Sequence, residues 1–438
     1  MVLGGQAGGR LPRQVKVMVL ARAVNQLGGF SLAFLTVLLA DDFEAGLTGA
    51  GVVSAMFGLA TIPSRLAGGR LADGWGRRRT IVAGLLGCAA AQLGLAAAPN
   101  LALAAVSAIV LGLAFELFEP PSQSLIADAV PARDRASAFG LLTTAIAVGS
   151  LGAGLIAGVV GRWSLRWLFV ADAGTGIACA VIVLVALAPD APVGRRPSRE
   201  AGPSAEAEPP KAESQKAEPQ KAGTLSPWRD RSLLAVTASG TVFALISMLF
   251  LVALPLSLGA VGLAPSDAGL LMAASTATLV LVRPIMRTGP IADLSHTATF
   301  VLGYALMGVG LLGYAFAHTL PTLVAPTALY SLGNLLAMSR SFVVVSELAP
   351  VAASARYLAV YGLSWGVATL LAPLGAALLM GVSGPALLWG VTAGSCAVMA
   401  VVQPWVLRRV SATSGDGDDL AVIHSTKTVA ERYDAVSI

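Results

Sequence analysis

What most limits the folds open to this chain is its succession of apolar runs. About twelve stretches, each near the roughly 20 residues needed to cross a bilayer core, follow one another along the 438 residues. Their approximate spans are 16–40, 47–67, 80–98, 101–126, 137–160, 167–188, 232–257, 268–288, 297–317, 321–346, 356–380 and 385–407. With 56% hydrophobic and 12% charged residues, the chain lies outside the composition of soluble domains. The expected fold is an all-α polytopic membrane protein with twelve transmembrane helices. The formal charge of +5 sits in loops between the runs instead of forming a basic face, so no nucleic-acid partner is expected. Cys88, Cys179 and Cys396 lie singly inside apolar segments, a spacing that excludes a disulfide framework or a zinc-type cluster. No nucleophile, base and orienting acid occur together and no metal-ligand spacing appears, so neither an enzyme nor a cofactor or metal site is expected.

Loop charge sets the expected topology. Leu66 to Thr80, LAGGRLADGWGRRRT, is a polar connection in which Arg70, Arg77, Arg78 and Arg79 surround Asp73. Short loops rich in arginine stay on the cytoplasmic side, and this one, with Arg133, Arg135, Arg287, Arg408 and Arg409, places both termini in the cytoplasm. Arg162 and Arg166, in the outer turn after the fifth run, go against that rule. Pro189 to Trp228 contains PPKAESQKAEPQKAG, has no apolar face and reads as a flexible linker. The expected organisation is an N-terminal six-helix bundle (1–189), a cytoplasmic linker (190–230), a C-terminal six-helix bundle (231–409) and a disordered cytoplasmic tail (410–438). An internal repeat supports this division. About 220 residues beyond GRLADGWG comes GPIADLSH, so Gly69 and Asp73 recur as Gly289 and Asp293, and IADAVP is answered by VSELAP, with Glu347 in place of Asp128. Two pseudo-symmetric bundles in parallel orientation describe a transporter with a site near the midplane.

These features resemble the major facilitator superfamily over nearly the whole chain apart from linker and tail. The polar connection is similar to that family's loop signature, with Gly69, Asp73, Gly76, Arg77 and Arg78 matching and Gly74 standing where the family usually has a cation. Asp128 and PARDRASAFG (131–140) resemble the family's fourth-to-fifth connection. The resemblance implies that Asp73 caps the start of the eleventh helix, that Arg77 faces Asp128, and that the cluster holds the cytoplasmic side shut. An anion at a helix N-terminus is favourable by roughly 0.3–1 kcal/mol when exposed. The alternative is that the arginines only fix topology and bind anionic lipid. The fifth helix resembles the antiporter signature through Gly140, Gly149 and Gly158, while Ala153 and Ala157 replace glycines, Gly154 replaces proline, and simple close packing is the competing reading.

Ionisable groups at membrane depth cost about 2.5–3.5 kcal/mol on the insertion scale. Arg22, near Asn25, lies in the first helix, Glu116 and Glu119 lie three apart in the fourth, and Arg340 lies in the tenth. By resemblance, helices one, four, seven and ten line a central cavity, which would gather these charges with Phe243, Ser247 and Met248. The family's arginine earlier in the fourth helix is missing. One of the two glutamates is expected to exchange a proton, and Glu119 with Arg340 to form an inner gate; a static polar network is the alternative. Asp172, Arg283 and Glu347 read as structural or interfacial. The expected function is export of small, hydrophobic or drug-like molecules by alternating access in exchange for protons, by a monomer in the cell membrane. An importer or facilitator of sugars or other metabolites is the second reading, and a non-transporting scaffold or sensor a remote third.

Overall fold

The computed structural model describes residues 11–29, 31–131, 134–187, 227–282, 294–349 and 354–414. Among them the chain is helical and contains no strand. The helices are α1 (Arg13–Gln26), α2 (Ser31–Asp41), α3 (Gly46–Trp75), α4 (Arg77–Ala97), α5 (Leu101–Phe115), α6 (Glu119–Asp128), α7 (Arg135–Val160) and α8 (Leu165–Ala186) in the first half. The second half holds α9 (Arg231–Ala260), α10 (Asp267–Val282), α11 (His296–Phe316), α12 (Leu320–Leu348) and α13 (Ser354–Ser414). Non-helical Ser383 and Gly384, followed by Pro385, divide α13 into two arms, 354–382 and 385–414. Counting α1 with α2, α5 with α6, and the arms of α13 separately gives twelve membrane crossings, six to a half. Arg283, Arg287, Gly289 and Asp293, Arg133, and most of the 190–230 linker and 410–438 tail lie outside the described residues. The last helix continues five residues beyond the expected bundle limit to Ser414, past Arg409, whose guanidinium lies 3.6 Å from the Trp405 ring centroid.

Two expected single helices are broken. The first crossing stops at Gln26 and restarts at Ser31. Gly28 lies in this break, and a Cβ there would sit 2.7 Å from the Asp172 Cα of α8, so the close approach requires a residue without a side chain. The fourth crossing breaks between Phe115 and Glu119. Pro120 and Pro121 lack the N–H groups that would bond back to residues 116 and 117, and their rings clash with those carbonyls. The Glu116 N–H, freed at the end of α5, donates to the Ser64 hydroxyl at 3.1 Å. Glu116 and Glu119 therefore do not share one continuous helix face.

The arginine-rich 66–80 stretch is also more regular than the sequence suggests. The α3 helix runs through Gly69 and Asp73 to Trp75, and Gly76 alone, at φ 99°, turns the chain into α4. A residue with a Cβ strains at that φ, so only one of the four glycines in this polar stretch makes the turn.

The halves meet on the face opposite the termini. Along one seam, α3 packs on α13, where a Cβ at Gly58 would lie 2.7 Å from the Thr369 carbonyl oxygen. Nearer the termini the two helices part, and a Cβ at Gly69 or Gly362 would meet nothing within 4 Å. Along the second seam, α7 packs on α10, where a Cβ at Gly154 would lie 2.8 Å from the Ala273 nitrogen. The two arginines that go against the topology rule hold this face together. Arg162 pairs with Asp267 across the halves at 2.9 Å. Arg166 pairs with Asp42 at 2.8 Å, donates to the Ala96 and Ala98 carbonyls and lies over the Phe43 ring.

Overpacking a seam costs about 1–3 kcal/mol. Gly154→Leu is therefore expected to lower the unfolding temperature in detergent by several degrees, whereas Gly140→Leu on the same helix, where a Cβ meets nothing within 4 Å, leaves it nearly unchanged.

Candidate functional site

Between the halves, on the terminal side of the seams, lies a cavity of about 670 Å³. Among the described residues its charge is confined to one wall. Arg22, Arg65, Glu116, Glu119 and Asp172 line it from the first half, and among the described residues none of the charged ones does so from the second. Arg22, with a side chain 10% exposed, meets Glu119 at 2.6 Å and lies 4.9 Å from the Phe118 ring centroid. The pair joins α1 to the first residue of α6, so both broken crossings are tied at their breaks. Arg65 of α3 lies 3.5 Å from Glu116. A charge buried beside low-dielectric surroundings is tolerable only when answered, and here guanidinium and carboxylate answer each other.

The facing wall is neutral and hydrogen-bonded. Asn334 donates to the Ser247 hydroxyl at 2.8 Å and to the Tyr330 hydroxyl at 3.3 Å, and Ser331 donates to Ser275 at 2.6 Å. Tyr330 stacks on Phe250 with centroids 3.8 Å apart, and Met248, Met272 and Trp365 complete the surface. Such a cavity offers ion pairs at one side and polarisable, adaptable apolar surface at the other.

Of the residues singled out from sequence, Arg22, Asn25, Glu116, Glu119, Ser247 and Met248 line the cavity. Arg340 does not: its guanidinium donates to the Leu294 carbonyl just before α11, at 3.2 Å, and Glu119 is engaged by Arg22 instead. Phe243 is buried behind the wall, edge-on to Trp365 and Tyr304. Asp172, read from sequence as structural, is buried in the cavity wall, because α8 brings it to the level of the break in the first crossing. Arg65 joins the site without having been expected there, although it is an ionisable residue inside an apolar run, the same signal that marks Arg22.

At the terminal face, Arg77 meets Asp128 at 2.6 Å, Arg135 donates to the Ala127 carbonyl at 3.0 Å, and Arg78 donates to the Leu184 carbonyl. Asp73 is exposed, and residues 350–353, which precede α13, lie outside the described residues. Glu347 lies 3.8 Å from His296. On α7, Gly149 packs on α1 and Gly154 and Gly158 on α10. Among the described residues no cluster of His, Cys, Asp and Glu is arranged to hold a metal ion.

The model of the Major Facilitator Superfamily matches residues 18–259 and 236–426. Among curated proteins the chain is 22% identical over 386 residues to an uncharacterized MFS-type transporter, YhjO, of Bacillus subtilis (strain 168), covering 84% of this chain and 87% of that one. It is 26% identical over 316 residues to the multidrug resistance protein MdtH of Aeromonas hydrophila, covering 70% and 73%. Among solved structures, that of the peptide transporter POT in complex with sulfate superposes with a TM-score of 0.69 at 16% identity, covering 93% of this chain and 96% of that one.

Removing one partner of a buried ion pair leaves an unanswered charge and costs about 3 kcal/mol at the lower end, the end appropriate here because Glu119 keeps 24% of its side chain exposed. Arg22→Met and Glu119→Gln are each expected to lower the unfolding temperature in detergent, and the double variant to recover most of the loss. A double variant as unstable as the sum of the two would show that the side chains act independently.

Proposed function

We propose a specific transport function on the premise that the chain belongs to the Major Facilitator Superfamily: it exports small, hydrophobic or drug-like molecules by alternating access, in exchange for protons. The chain is a multi-pass membrane transporter and not an enzyme. The observation that carries the reading is the shared cavity, in which acid–arginine pairs sit at two broken crossings and face a neutral, aromatic and methionine-lined wall. Carboxylates at membrane depth, each beside a guanidinium that can move between states, are suited to binding and releasing a proton. The similarity to a multidrug resistance protein supports this cargo class.

In this reading both termini lie in the cytoplasm of a cell-membrane protein, which the loop arginines support, so the seams close the outer side and the cavity faces inward. The Arg162–Asp267 pair and the Gly154 and Gly58 contacts then belong to the outer closure. In this reading the Arg77–Asp128 cluster and Asp73 act on the opposite side, and Glu119 and Arg340 approach each other only when the inner side closes. Linker and tail lie in the cytoplasm, and a monomer suffices, because one chain completes the cavity.

A second reading, uptake of a polar metabolite, is favoured by the Ser247–Asn334–Tyr330 and Ser275–Ser331 hydrogen-bond sets, which could pair with hydroxyl or amide groups. The two readings separate in proteoliposomes. Export predicts that fluorescent drug-like dyes move against an imposed proton gradient, whereas uptake predicts accumulation of a sugar or peptide with it. Glu116→Gln is expected to abolish gradient-driven movement of dye while preserving dye-for-dye counterflow. Gradient-driven movement at the wild-type rate would remove Glu116 from coupling.

A further inference from the structure

We propose that the second half carries a pH-dependent counterpart of the Arg77–Asp128 pair: His296, once protonated, binds Glu347 and restrains α12, so that acid at the terminal face slows exchange of cargo. The effect on exchange rests on the transport reading above. The observation behind the proposal is a substitution between equivalent positions of the two halves. Arg77 is the first residue of α4 and His296 the first residue of α11, and both helices are 21 residues long. Asp128 closes α6, and Glu347 lies one residue before the end of α12. The offset from Arg77 to His296 is the one that carries Asp128 onto Glu347. Each pair thus joins the start of one crossing to the end of the next, at 2.6 Å in the first half and 3.8 Å in the second. A guanidinium keeps its charge at every physiological pH, whereas an imidazole changes charge between about pH 5 and 8. A permanent tie in one half is a conditional one in the other.

The surroundings of His296 suit that role. Its Nδ1 is enclosed and meets no partner among the described residues, so Nε2, toward Glu347, is the ring nitrogen with an answering group. The two side chains are 36% and 61% exposed, which gives both access to solvent protons. Among the described residues of α11, α12 and α13, Glu347 is the only carboxylate side chain. The other charged groups at this end of the helices packed on α11 are cations. Arg340 of α12 donates to the Leu294 carbonyl, and Arg408 and Arg409 stand near the end of α13, the second of them over Trp405. The α12 helix links the pair to the cavity. Its Tyr330, Ser331 and Asn334 line the wall, and at that level α11 backs it closely, since a Cβ at Gly303 would lie 3.0 Å from the Gly333 carbonyl oxygen. Glu347 sits about 20 Å beyond Asn334 on the same helix, by helical rise. A tie there holds the cavity-lining helix against its neighbour while the cavity is open toward the terminal face, and movement of α12 away from α11 has to break it.

Amide hydrogen exchange over the last turns of α12, and dye-for-dye counterflow in proteoliposomes with equal pH on both sides, read the tie and its consequence separately. At each pH the full-length wild type is compared with His296→Arg, where the cation is permanent, and His296→Gln, where it is absent, so that other titrating groups contribute equally to all three. At about pH 5.5 the wild type is expected to match the Arg variant, with amide exchange and counterflow both about two- to fivefold slower than in the Gln variant, the range an exposed ion pair supports. At about pH 8 it is expected to match the Gln variant instead. Glu347→Gln, a change at an exposed position, gives a second route if a His296 variant does not fold: it is expected to speed both readouts at the lower pH and leave them unchanged at the higher. Arg and Gln variants with equal amide exchange, or a wild type that follows the same variant at both pH values, would overturn the proposal. So would the expected amide pattern without the matching counterflow pattern in a chain that moves dye. The amide pattern in a chain that moves no dye keeps the tie and loses the transport reading, whereas gradient-driven dye movement without that pattern loses the tie and keeps transport.

Discussion

Charge inside hydrocarbon has to be answered by charge, and the arrangement of the first half follows from that requirement. Arg22 and Glu119 stand on different crossings, each at or beside a helix break, and their contact at 2.6 Å fixes where the two breaks lie relative to each other. Without it, two broken helices would present unpaired backbone groups and isolated charges to a low-dielectric surround, and each group would cost several kcal/mol. With it, breaks and charges become one polar seam lining the cavity. The Ser64 hydroxyl extends the same logic by accepting from the Glu116 N–H. The second half has no such obligation, and its cavity-lining helices α9 and α12 run unbroken past Pro255 and Pro326.

The two halves share a plan yet divide the chemistry. Repetition of the glycine–aspartate pattern indicated the duplication, but among the described residues the charged groups at cavity level belong to one copy, and the other presents a neutral wall of hydroxyl, amide, aromatic and thioether groups. A duplicated scaffold thus gives two dissimilar walls, one carrying ion pairs and one with an adaptable, polarisable surface. The small residues at the seams serve a separate purpose. They bring backbones together at Gly58 and Gly154, close enough for the halves to be closed on one side by main-chain packing, with the Arg162–Asp267 ion pair at the rim.

Much of this was legible in the residues. Hydropathy located the twelve crossings because span length is set by bilayer thickness. The helix breaks were not drawn from hydropathy, since an apolar run looks the same whether or not its backbone is continuous. Their local signals, Gly28–Gly29 and Pro120–Pro121, were nevertheless present. Site residues were harder, because depth counted along a helix does not say which way a side chain faces. Arg340 shares the cavity's depth in the sequence while its guanidinium turns to Leu294, and Asp172 sits near a helix end in the sequence while α8 carries it into the cavity wall. Arg162 and Arg166 contradicted the charge rule only in isolation; each has a carboxylate partner on its own face, which the linear sequence separates by more than a hundred residues.

The single-residue turn at Gly76 has a mechanical consequence. A connection that short holds no slack, so α3 and α4 cannot tilt independently as they could across a longer loop. Any rocking of α3 where it touches α13 must swing the start of α4, and with it Arg77, relative to Asp128 on α6. The turn thus works as a stiff elbow, transmitting displacement at one face of the membrane to an ion pair at the other.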